Sequence, residues 1–230
     1  MKTLGLIGGI GPESTIDYYR LLISGYREET GGTSPPVIIN SVDLKRLLAW
    51  MNADQLPNVV DYLSVEISKL HKAGADFGAL ASNTPHIVFS ELQERSPIPL
   101  ISIVEATCER VKELGYKIVA LFGTRFTMQA RFYPDVFKNA GLELVLPSPD
   151  QQNYIHEKYM GELLNNQFLP ETRERILQIA DDLKQLYGVE GLILGGTELP
   201  LLLRAEEHNG IRLLDTSRIH VDRLLHELLS

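Results

Sequence analysis

The chain has 230 residues, 44% of them apolar and 23% charged, with a formal net charge of −8. That length suits one large core or two small ones, and an acidic balance without a dense Lys/Arg tract argues against nucleic acid or anionic membrane as partners. A lone cysteine, Cys108, excludes an internal disulfide and any CxxC metal knuckle. No apolar run approaches the roughly 18 residues of a membrane span. The start "MKTLGLIGG" lacks the pattern of a secretion signal, so a cytoplasmic protein is expected.

Apolar runs of strand length follow one another along the chain: "TLGLIGG", "PVIINS", "FGALAS", "PLISI", "KIVALFG", "LELVLPS", "GLILGG" and "IRLLDT". Helix-length segments such as "ESTIDYYRLLISGYREE" and "PETRERILQIADDLKQLYG" separate several of them. Strands alternating with helices predict an α/β protein with parallel sheets. The near-continuous apolar character of the strands predicts helices over both sheet faces.

The two halves echo each other. An offset of 114 residues places Gly9 on Gly123, Gly74 on Gly188 and Ser82 on Gly196. The prediction is two similar doubly wound parallel-sheet lobes related by a pseudo-twofold, with an active-site cleft between them. The segments around residues 98 and 209 are the places where the chain could cross between lobes. In open α/β sheets ligands bind beyond the C-terminal ends of strands, which directs attention to four loops.

The first loop, "GGIGPEST", is a glycine-rich turn entering a helix; Gly9, Ile10 and Gly11 either offer backbone N–H groups to a carboxylate or simply form a tight turn. The second, "ASNTPH", sets Ser82, Asn83 and Thr84 in succession, to bind a carboxylate or amine or to cap the following helix. In the third, "GTRFTMQ", Thr124 and Thr127 stand three apart and face one point across a helical turn, again with capping as the plainer role. The fourth, "GGTE", carries Thr197 and Glu198 behind Gly196. Asp43 in "NSVDL" orients a polar neighbour or caps a helix, and His86 and His220 read first as structural hydrogen-bonders. Cys108 falls mid-helix as a small packed group. The other histidines show no metal-ligand spacing, so no metal site is assigned.

The stretches "GLIGGIGPESTIDYYR", "INSVDL", "ASNTPHIVF", "LFGTRFTMQARFY", "LILGGTELPLL" and "LLDTSRIH" span the chain in an order that resembles the aspartate/glutamate racemase superfamily, closest to its aspartate racemase branch. The resemblance implies that the chain crosses near residue 98 and returns near residue 209, which gives residues 1–97 with 210–230 to lobe 1 and 98–209 to lobe 2. It also implies amino-acid racemases that use no pyridoxal phosphate or other cofactor, usually homodimers. In them one thiol takes the α-proton and a second, on the opposite face of the planar carbanion, returns one. Inversion needs an acid and a base on opposite faces, and a thiol of pKa about 8.5 can serve as either. The resemblance places these thiols at Ser82 and Gly196, and neither is cysteine. It also places Asn83 and Thr84 on one carboxylate of the substrate and Thr124, Thr127 and Thr197 near the others. Arg46, with Lys45 beside it, is the nearest candidate for a side-chain carboxylate.

Three readings stay open at this stage. One is an isomerase of a small acidic amino acid that uses other groups, with Ser82 activated by Asp43 or His86 and Glu198 acting from the opposite face. Another is a ligand-binding homologue without turnover. The third is deliberate replacement of the cysteines, which fits serine better than glycine.

Overall fold

A computed structural model describes all 230 residues. In chain order the elements are β1 (Leu4–Gly8), α1 (Pro12–Thr30), β2 (Val37–Ser41), α2 (Leu44–Asn52), α3 (Leu56–Lys72) and β3 (Phe77–Leu80). A 3-10 turn (Thr84–Val88), α4 (Phe89–Arg95), β4 (Leu100–Ile101) and α5 (Ile103–Glu113) follow. Then come β5 (Ile118–Gly123), α6 (Arg125–Gln129), α7 (Phe132–Asn139), β6 (Glu143–Val145), α8 (Pro149–Gly161) and α9 (Pro170–Tyr187). The chain closes with β7 (Gly191–Gly195), α10 (Leu199–Leu202), β8 (Glu207–His208), β9 (Ile211–Asp215) and α11 (Thr216–Leu229). No helix is long and apolar enough to cross a membrane.

The chain divides into two compact units, Met1–Ile103 with His220–Ser230, and Val104–Ile219. The joins expected at 97/98 and 209/210 therefore fall several residues later. The reason is strand pairing: β4 bonds to β3 in the first sheet, and β9 bonds to β7 in the second.

The first unit holds a four-stranded parallel sheet in the order β2-β1-β3-β4. Every residue of β1 is buried. Leu4 and Leu6 share a core with Tyr18, Leu22 and Tyr26 of α1 and with Val221, Leu224 and Leu228 of α11. On the other face Leu70 of α3 lies over Gly5, 3.1 Å from where a Cβ would stand. Helices thus cover both faces of β1, as its uninterrupted apolar run predicts. Helix α1 forms because Ser14, Tyr18, Leu22 and Tyr26 recur every four residues on its buried face. Pro12 starts it, and Gly31 stops it in the left-handed conformation (φ 71°).

The second unit repeats that strand order as β6-β5-β7-β9 and adds β8 at the edge. Strand β8 runs antiparallel to β9 through a turn at Asn209 and Gly210, both at positive φ (47° and 75°). This short antiparallel addition was not among the predicted strands. Helix α9 begins at Pro170 and ends at left-handed Gly188, and its buried Ile176, Ile179, Ala180 and Leu183 join Phe122, Leu192 and Leu194 in one core.

Candidate active site

Because strands of a parallel sheet share one direction, their C-terminal loops gather along one edge of each unit. In the first unit that edge carries Gly9–Gly11, Asp43 and Ser82–Thr84. Gly9 (φ 82°) lies so close to the following connection that a Cβ would stand 2.5 Å from the Val42 carbonyl oxygen. Its N–H already donates to Thr15 Oγ1 at 2.8 Å, so it is not available to a carboxylate. Ile10 is buried, and Gly11 (φ 76°) is the N-cap of α1.

Asp43 is the N-cap of α2: its carboxylate accepts the Arg46 N–H at 3.2 Å, and its own N–H donates to Tyr62 Oη at 3.3 Å. Of its two expected roles the structure displays capping. The Arg46 guanidinium carbon rests 4.6 Å from the Trp50 ring centre and 5.0 Å from that of Tyr62, a cation–π arrangement on an exposed side chain.

Ser82 and Asn83 are buried, at 8% and 2% exposure. Asn83 precedes the 3-10 turn, yet its side chain makes no capping hydrogen bond. The histidine that follows does not activate Ser82. His86 Nδ1 lies 2.9 Å from the Ser82 carbonyl oxygen, and its Nε2 accepts the Ile103 N–H at 3.2 Å. Both ring nitrogens are committed to backbone, which fixes the neutral Nδ1–H tautomer. His220 is its counterpart: Nε2 faces the Ile101 carbonyl at 3.0 Å, and Nδ1 meets the Tyr18 hydroxyl at 2.9 Å. Burial lowers both, with the neighbouring His220 contributing at His86, to about 3 for His86 and about 4 for His220. They are neutral pillars beneath the loop, and neither serves Ser82 as a base.

The second unit's edge carries Thr124, Thr127 and Gly196–Glu198. Thr124 is the N-cap of α6 and accepts the Thr127 N–H at 3.4 Å. Thr127 is fully buried. Its Oγ1 lies 3.3 Å from that of Thr124, and its methyl packs against Gly123 and Gly195. A Cβ on Gly195 would stand 2.7 Å from Leu121 Cδ1 and 3.0 Å from both the Phe122 carbonyl oxygen and that methyl carbon, which explains why glycine precedes Gly196.

Gly196 is a different case. Its backbone is not left-handed, so conformation does not require glycine there. A neighbour does. A Cβ at Gly196 would stand 2.5 Å from both Cε2 and Oη of Tyr159, on α8. The ring of Tyr159 fills the space into which a side chain at 196 would extend. Tyr159 is 4% exposed and Glu198 7%. The tyrosine hydroxyl donates a hydrogen bond to Glu198 Oε2, and Thr197 Oγ1 donates to the same oxygen at 2.8 Å. Burial first, then the Glu198 charge, holds the Tyr159 phenol well above its ordinary pKa, so it stays a protonated donor at neutral pH.

Sequence reasoning missed Tyr159. The one signal was indirect, a glycine where the resemblance expects a thiol. Nothing in the chain order says which helix supplies the replacement volume. Cys108, on α5, is buried, and burial raises its thiol above the usual range.

Residues 7–224 match the family described as Asp/Glu/Hydantoin racemase. The chain is 29% identical over 153 residues to the broad specificity amino-acid racemase RacX of Bacillus subtilis (strain 168), a match covering 62% of this chain and 63% of that protein, under two thirds of its length. Two crystal structures are similar over 100% of both chains. One is of a candidate Asp/Glu racemase from Yersinia pestis (30% identity, TM-score 0.93), and the other of an aspartate racemase homologue from Pyrococcus horikoshii OT3 (32%, TM-score 0.86). With one cysteine in the whole sequence, buried on α5, and serine and glycine at the two thiol positions that the resemblance assigns, this chain belongs to the Asp/Glu/Hydantoin racemase family while lacking its pair of thiols.

Proposed function

We propose that this protein binds a small acidic amino acid, aspartate- or glutamate-like, and does not invert it by the two-thiol route. The observation that carries this reading is the Tyr159 ring in the space beside Gly196. Losing a sulfur alone would leave a gap; here the gap is filled and hydrogen-bonded. Family membership and the likeness to aspartate-racemase-type structures support the substrate class. The reading invokes no cofactor, and it retains a cytoplasmic homodimer as the working form.

Calorimetry with L-aspartate and L-glutamate, together with chiral chromatography after long incubation, tests it. Saturable binding of one of them without thiol-type racemisation is the expected result. Failure to bind either amino acid, or turnover at rates typical of two-base enzymes, would overturn it.

A further inference from the structure

Glu198 stands out among the groups at the second unit's edge. Both of its side-chain hydrogen bonds, from Tyr159 and Thr197, end on Oε2. Oε1 accepts neither of them, and it does not share the fate of Ser64 Oγ and Ser217 Oγ, which are both buried and without a hydrogen-bond partner. One carboxylate oxygen is thus anchored while the other is unbonded and not fully sealed, on a residue that is 7% exposed. Two residues upstream, the site of the absent side chain is closed by the same ring that anchors the carboxylate. A carboxylate held in one orientation by two donors on one oxygen, with the other oxygen unbonded, has the geometry a general base needs.

We propose that Glu198 is a single base that exchanges the α-proton of the bound amino acid with solvent, with retention of configuration, and that Tyr159 and Thr197 position it. The proposal rests on the binding reading above. In the step, the Cα–H bond breaks and its proton passes to Glu198 Oε1. The electron pair is held by the α-carboxylate as an enediolate. After exchange of the carboxyl proton with water, the same oxygen returns a proton to the same face. No other reactant is needed, and because one oxygen takes and returns the proton on one face, configuration is kept.

The test is incubation of the protein with L-aspartate, and separately L-glutamate, in D₂O. The α-proton is followed by NMR, configuration by chiral chromatography and affinity by calorimetry. The expected result is slow loss of the α-proton signal with the L configuration kept. Glu198→Gln should lower that rate by about 10²–10⁴-fold with affinity preserved, and Glu198→Asp should restore part of it. Tyr159→Phe, which keeps the ring and removes only the anchoring hydroxyl, should slow exchange about tenfold at unchanged affinity. Cys108→Ala should change neither. Binding without exchange overturns this proposal and leaves the binding reading intact. Exchange that survives Glu198→Gln, or that comes with inversion, also overturns it. Absence of binding overturns the reading and the proposal together.

Discussion

The loop after β3 and the loop after β7 are equivalent by the 114-residue repeat, which pairs Ser82 with Gly196, yet they solve their local packing in opposite ways. After β3 a small hydroxyl is kept, and the chain invests its buried polar groups beneath it, in His86 and His220 bonded to backbone. After β7 the side chain is gone, and a ring from another helix fills the space and ties itself to Glu198. One half has room for the residue it carries. The other has exchanged a side chain at its own position for volume supplied from α8. Two positions that a repeat makes equivalent can therefore differ in what a substitution would meet.

The largest effect that separates the two loops is expected from Tyr159→Ala. It removes a buried aromatic ring, and with it a donor to a buried carboxylate, so about 3–5 kcal/mol of stability should be lost by chemical denaturation. A loss under about 1 kcal/mol would show that the ring is not part of the second unit's core.

Gly196→Cys comes next. Its new atoms meet a buried ring rather than a flexible chain end, and overpacking of this kind costs about 1–3 kcal/mol. Ser82→Cys, by contrast, should cost less than about 1 kcal/mol. Combining Gly196→Cys with Tyr159→Ala should be less destabilising than the two changes summed, because they share one volume. Strict additivity would mean that the ring and position 196 do not compete. By the same argument, restoring both cysteines without trimming Tyr159 should not produce racemisation.

The histidine pair sets a pH dependence confined to the first unit. Both rings have folded values, about 3 and about 4, below the ordinary 6.5, so the unfolded chain holds more protons in that interval. The stability they confer is complete above pH 6.5 and is lost as pH falls from there toward 4 for His220 and on toward 3 for His86. Each can contribute at most about 1.4 kcal/mol per pH unit over that span. NMR of the ring protons should show neither titrating above pH 5, and a midpoint near 6.5 for either would remove it from the pillar role.

The smallest change belongs to Asp43. Replacing it with alanine should cost about 1 kcal/mol through loss of the α2 cap and leave amino-acid affinity unaltered. A large loss of affinity instead would return Asp43 to the binding site.

Much of this architecture is legible in the chain alone. The four-residue spacing on α1 and its glycine stop follow from helix geometry, and the buried runs of β1, β3 and β7 announce parallel strands covered on both faces. The repeat predicts two similar units with parallel sheets, and the capping roles of Asp43 and Thr124 follow from their place at the end of a strand. These are local facts, set by periodicity and backbone chemistry within a few residues. Tertiary structure alone decided the rest. The exact joins depended on which sheet β4 and β9 pair with. The tautomer of His86 depended on Ile103, 17 residues away, and its neutrality on burial. The reason for glycine at 196 depended on Tyr159, 37 positions earlier, because competition for one volume is a property of packing and leaves no periodic trace along the sequence.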